Sequence, residues 1–199
     1  KTIKVIFERG YLGRIVNNLF IIRHGLSREV TSYPDRFYPS DLSEIVRNRS
    51  LNKADSRPLA VLIYSLFDEE RAFENPMNRA MFAQITRRYR TMYYEVTNVA
   101  EFIKVLKEAT QEQKASLIVI GGHGRRKSFA LGKNDDQEDN IRILHERFFL
   151  ENELATTLQK GGTILLDSCD TGKGGADDEN IANMFYSVFK DAAPRAVFS

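Results

Sequence analysis

Three short apolar runs constrain the fold of this chain more than any other feature. Leu59-Ala60-Val61-Leu62-Ile63-Tyr64 follows Pro58, Leu117-Ile118-Val119-Ile120 runs into Gly121-Gly122, and Thr163-Ile164-Leu165-Leu166 follows Gly161-Gly162. Such short runs, apolar without alternation, read as strands buried on both faces. The stretches between them change period. Residues 76–90 open on Pro76 and place Met77, Ala80, Met81, Gln84 and Ile85 near helical spacing. Thr91–Val96 is rich in strand formers. Asn98 then predicts a helix cap, with Glu101 three residues on as in a capping box and Val99, Phe102, Ile103 and Leu106 as the apolar face. Residues 151–159 predict a helix stopped by Gly161-Gly162. Ile181, Met184, Phe185 and Val188 mark one face of a last helix, and residues 195–198 begin a fifth strand.

Strands that alternate with helices in this way predict an α/β fold with a mostly parallel sheet, because the crossovers are right-handed and cover both faces. The α/β domain is expected over residues 58–199. Residues 1–57 form an N-terminal segment, accessory or packed on the core, in which Ile3–Phe7 and Leu19–Ile22 are candidate strands and Asp41–Arg47 a candidate helix. The chain opens on Lys1 and closes inside the apolar run Ala196-Val197-Phe198, so it reads as a piece of a longer protein with further domains.

Composition narrows the function classes. The 29 basic and 27 acidic residues leave a formal net charge of +2, which argues against a nucleic-acid or membrane surface. No apolar run approaches the roughly 20 residues that cross a bilayer. A single cysteine forms no internal disulfide, so a reducing compartment, the cytoplasm, is expected, with a secreted effector as the alternative.

That cysteine is Cys169, just beyond the strand at 163–168, ahead of Asp170-Thr171-Gly172-Lys173-Gly174-Gly175. His123 stands in the same position beyond residues 117–121, ahead of Gly124. In open parallel sheets, sites gather beyond the carboxyl ends of the strands. If these two strands are neighbours, thiol and imidazole emerge side by side. An imidazolium lowers the pKa of a neighbouring thiol, and the thiolate attacks a carbonyl to give an acyl-enzyme. Weighed against this, free cysteines are often small core residues, and a strand-end histidine is often bonded to backbone. Asp167 has its own structural reading, as a carboxylate accepting backbone hydrogen bonds.

The segment Ile118-Val119-Ile120-Gly121-Gly122-His123-Gly124 resembles the histidine-glycine motif of the caspase-like cysteine peptidases of clan CD, and Ile164-Leu165-Leu166-Asp167-Ser168-Cys169-Asp170-Thr171-Gly172 resembles their cysteine motif. The Asp-Ser-Cys core is most similar to metacaspases and paracaspases. Cys169-x-Thr171-Gly172 also resembles the CHAT branch. The resemblance implies a three-layer α/β/α sandwich and a thiol protease acting on protein or peptide substrates without cofactor or metal. It implies Cys169 as nucleophile and His123 as proton-transfer partner, with the backbone amides of Gly124 and Cys169 as oxyanion donors. Asp167 would line an S1 pocket for Arg or Lys. Two features depart from metacaspases: Asp170 stands where they usually carry His, and Arg125-Arg126-Lys127 replaces an acidic continuation.

Other readings compete. Arg23-His24-Gly25 resembles the histidine-phosphatase motif, with His24 as the phosphorylated nucleophile and His123 as its second histidine. A caspase-like interaction module with an unused dyad is a third class. His145 lacks a partner motif and reads as structural. Asp135, Asp136, Glu138 and Asp139 read as a solvated loop, because their spacing matches no Ca²⁺ loop. Thr171–Gly175 lacks the complete phosphate-loop pattern. The polar segments 125–140 and 172–179 are expected nicking sites, with Arg125, Arg126, Lys127 and Lys173 as basic residues for self-processing.

Overall fold

The computed structural model describes residues 55–67, 76–133, 138–194 and 196–198. The candidate strands and helix before residue 55, the Arg23-His24-Gly25 motif, and Asp135 and Asp136 lie outside the described residues. Among the described residues, no helix is long and apolar enough to cross a membrane.

The main sheet contains β1 (Leu59–Ser65), β2 (Arg90–Val96), β3 (Ala115–Gly121), β7 (Leu158–Asp167) and β8 (Ala196–Phe198), in the order β2-β1-β3-β7-β8. Every neighbouring pair in it is parallel. All seven residues of β1 and of β3 are buried. That is the environment their unbroken apolar sequence requires, since a solvated face would demand alternation. The fold is therefore α/β with a parallel central sheet, and the strands expected at 59–64, 117–121 and 163–168 are direct neighbours. A second, antiparallel sheet of β4 (Gly124–Arg125), β5 (Ser128–Ala130) and β6 (Asn140–Arg142) is inserted between β3 and β7.

Among the described residues, four α-helices connect the strands: α1 (Pro76–Arg88), α2 (Val99–Ala109), α3 (Glu146–Glu151) and α4 (Ile181–Phe189). Alternation along the strands divides the core in two. Val61, Ile63, Ile118, Ile120, Ile164 and Leu166 share one cluster with Phe102 of α2, Phe149 of α3 and Phe185 of α4. Ala60, Leu62, Tyr64, Leu117 and Val119 share the other with Phe82 and Ile85 of α1. The Phe102 and Phe149 rings lie 5.9 Å apart and the Phe149 and Phe185 rings 6.0 Å apart, so one aromatic column joins three helices.

The cap of α2 forms with one change from expectation. The Asn98 side chain accepts from Glu101 N at 2.8 Å, but the Glu101 carboxylate accepts from the backbone N–H and hydroxyl of Thr97, one residue before the cap. The reciprocal bond is thus shifted outward, and it ties the end of β2 to the start of α2.

The helix expected over 151–159 is not present. Instead α3 ends at Glu151, Glu153 takes a left-handed conformation (φ 54°), a short 3-10 turn covers Leu154–Thr157, and β7 begins at Leu158. Gly161-Gly162 do not stop a helix. They sit inside the strand, where Ala115 pairs with Leu158 but Leu117 pairs with Thr163. The extra residues of β7 form a bulge, and Gly161 supplies its positive φ of 73°. A glycine pair reads alike as helix stop or strand bulge; here pairing with β3 decides between them.

Candidate active site at the carboxyl edge of β3 and β7

The register of the sheet fixes the site. Gly121 at the end of β3 pairs with Asp167 at the end of β7, and Gly122 N–H donates to the Asp167 carbonyl at 3.3 Å. His123 and Cys169 each lie two residues beyond this matched pair. The two loops then touch. A Cβ built on Gly124 would stand 2.4 Å from the Cys169 carbonyl oxygen, 2.7 Å from Thr171 Cγ2 and 2.9 Å from Ser168 Cβ. Only a residue without a side chain brings the histidine loop this close to the cysteine loop.

Each loop is held from behind. The His123 carbonyl accepts from Ala130 N–H at 2.8 Å, which anchors the histidine segment to β5. Gly122 passes under β5 with no room for a side chain, its Cβ position being 2.5 Å from the Ala130 carbonyl. On the other side, the Ser168 and Thr171 hydroxyls are hydrogen-bonded at 2.7 Å, and Thr171 is fully buried. Asp170, directly after the cysteine, is left-handed with φ 56°. Aspartate is among the few non-glycine residues that tolerate this region, which gives a structural reason for its presence there. The first turn of α4 grips both loops: Ile181 N–H donates to the Arg126 carbonyl at 3.0 Å and Ala182 N–H to the Thr171 carbonyl at 3.1 Å. His123 and Cys169 are themselves exposed, and Cys169 is a free thiol. The arrangement presents a free thiol, an imidazole and close-packed backbone at one open sheet edge.

Asp167 is half-buried and accepts from the Tyr64 hydroxyl at 2.7 Å. Sequence reasoning did not single out Tyr64, because a tyrosine ending an apolar run looks like any core aromatic. Tyr64, Gly121 and Asp167 form one register row across β1, β3 and β7.

The rims of the site are joined by ion pairs. Arg126 meets Asp178 at 2.7 Å and Lys127 meets Glu179 at 2.6 Å, linking the turn of the small sheet to the loop after Cys169. The Gly175 N–H and then Arg126 hold the Asp178 carboxyl below its ordinary range, and the Lys127 ammonium does the same for Glu179. Arg126 and Lys127 of one expected nicking segment thus pair with Asp178 and Glu179 of the other. His145 stands at the start of α3. Its Nδ1 accepts from Arg142 N–H at 3.0 Å and its ring packs 6.0 Å from Phe149. Burial, and then the Arg142 charge, lower its pKa. That is the structural role its sequence setting suggests. Among the described residues, no group of three or more His, Cys, Asp or Glu is arranged to hold a metal ion. Comparison with known proteins finds no matching family model, and no curated protein or solved structure matches the chain.

Proposed function

We propose that this chain is a caspase-like cysteine endopeptidase, its sheet and flanking helices forming a three-layer α/β/α sandwich. One observation carries the reading: β3 and β7 pair in register, so His123 and Cys169 leave the sheet at matched positions with Gly124 packed on the Cys169 carbonyl. His123 takes the proton of the Cys169 thiol, and the thiolate adds to the scissile carbonyl. The backbone amides of Gly124 and Cys169 receive the oxyanion; one such donor is worth about 3 kcal/mol. As the C–N bond breaks, His123 returns the proton to the leaving amine. Water, deprotonated by the same imidazole, then releases the acyl group and restores the thiol. Asp167 recognises Arg or Lys at P1, so the substrate is a protein or peptide cut after a basic residue, and no cofactor takes part. A reducing compartment such as the cytoplasm suits the free thiol.

A peptidyl electrophile carrying Arg or Lys next to its warhead tests this. The adduct is expected on Cys169 by peptide mapping, and Cys169→Ala and His123→Ala should each abolish hydrolysis of the matching substrate. Hydrolysis that survives Cys169→Ala overturns the reading. A phosphatase activity lost in His24→Ala and spared in Cys169→Ala would replace it with phosphoryl transfer.

A further inference from the structure

We propose that Tyr64 is a specificity-determining positioning residue: its hydroxyl holds the Asp167 carboxylate in the orientation that receives a cationic P1 side chain. This rests on the peptidase reading above and extends it to a residue outside both motifs.

The argument begins with burial. Tyr64 is 2% exposed, in a cluster with Phe82, whose ring lies 5.5 Å away edge-on, and Tyr93, 5.8 Å away. Phenylalanine would fill that space without a polar atom to satisfy, and a buried phenol requires a partner. The hydroxyl finds one two strands away, on Asp167 Oδ2 at 2.7 Å. Reaching it means crossing β3, and the crossing point is Gly121. A Cβ there would lie 1.8 Å from Tyr64 Cε1 and 2.0 Å from Cδ1. The ring therefore occupies the space that a side chain on β3 would fill. Three features in one row, a polar tip on a core aromatic, a glycine under its ring and a carboxylate at its end, are needed together for this contact.

The chemistry follows from the carboxylate. The terminal torsion of aspartate is broad and unfixed when nothing holds it. A short phenol-to-carboxylate bond restricts it from the core side, where packing immobilises the donor. A carboxylate oriented before substrate arrives loses less freedom on binding a guanidinium or ammonium. That benefit is the same in the ground and transition states, so it acts on KM rather than kcat.

The test uses Tyr64→Phe, which keeps the ring and removes only the oxygen. With Arg- and Lys-P1 substrates, KM should rise about ten-fold while kcat stays within about two-fold. Alkylation of Cys169 by iodoacetamide should keep its wild-type rate. An unchanged KM overturns the proposal. So does a rise in KM accompanied by matching falls in kcat and alkylation rate, which would mark a purely structural role. Binding of Nα-acetyl-arginine amide to Cys169→Ala, followed by chemical-shift titration, separates this proposal from the peptidase reading. If no peptide is turned over but Tyr64→Phe weakens that binding about ten-fold, the peptidase reading fails and the pocket stands. Equal binding with and without the hydroxyl overturns the pocket, whatever the activity.

Discussion

Gly124→Ala adds one methyl group at the seam between the histidine and cysteine loops. Its nearest neighbour would be the Cys169 carbonyl oxygen at 2.4 Å, a backbone atom that cannot swing aside as a side-chain tip can. Real Cβ contacts essentially never fall below 3.0 Å, so the loops must separate by at least about 0.6 Å. Thr171 Cγ2 and Ser168 Cβ, at 2.7 and 2.9 Å, close off the sideways escape. Overpacking of this kind costs about 1–3 kcal/mol of stability. Under the peptidase reading the larger effect falls on chemistry, because a displacement of about 1 Å between reacting groups can cost about 100-fold in rate. The expected outcome is a protein that still folds, with a lower urea midpoint at unchanged m, and kcat/KM down by roughly 30- to 100-fold. Urea denaturation followed by fluorescence, with peptide hydrolysis measured well below the transition, reads both quantities. A variant with wild-type midpoint and wild-type kcat/KM would refute the close approach of the two loops and the site built on it.

Three further predictions concern the surrounding structure. The lowered pKa of His145 means that the unfolded chain takes up the proton first on acidification, so its contribution is present above the ordinary value of 6.5 and is lost as pH falls below it. His145→Gln, which keeps an acceptor for Arg142 N–H, should flatten the stability profile between about pH 7 and pH 5, and an unchanged slope would remove His145 as its source. Asn98→Ala removes the α2 cap and should cost about 1 kcal/mol in denaturation experiments; no loss would mean that the Glu101–Thr97 bonds suffice. Asp178→Asn combined with Glu179→Gln should speed limited trypsin cleavage at Arg126 and Lys127, and about 1 M salt should bring the wild type to a similar rate by screening the same pairs. A wild-type cleavage rate indifferent to salt would count against the ion-pair clip.

The legible parts of the sequence are those where one physical demand acts alone. β1 and β3 have no solvated face, so their unbroken apolar runs announce them. The same holds for the buried face of α4, where Ile181, Met184, Phe185 and Val188 are all in the core. Where two demands produce the same residues, the sequence misleads. Gly161-Gly162 serve a bulge, yet they look like a helix terminator, and the threonines before them belong to a 3-10 turn. The motif glycines were conspicuous, but their separate tasks were not. Gly121 admits the Tyr64 ring, Gly122 passes beneath Ala130, and Gly124 meets Cys169. Those tasks depend on pairing between distant strands, and so does the bond from Tyr64 to Asp167, which no local window contains.

That last separation bears on when the protein becomes reactive. Tyr64 and Asp167 are 103 positions apart in sequence, and the loops that carry His123 and Cys169 meet only when β7 docks on β3. During synthesis β1, β2 and β3 leave the ribosome well before β7, and parallel pairing must wait for its crossover to be complete. The thiol therefore arrives after the imidazole, at an edge that β3 already forms. A chain that has not yet docked β7 holds neither the register match between β3 and β7 nor the contact of Gly124 with Cys169, and both form in one step. Under the peptidase reading, a nascent chain stays unreactive until β7 has docked on β3.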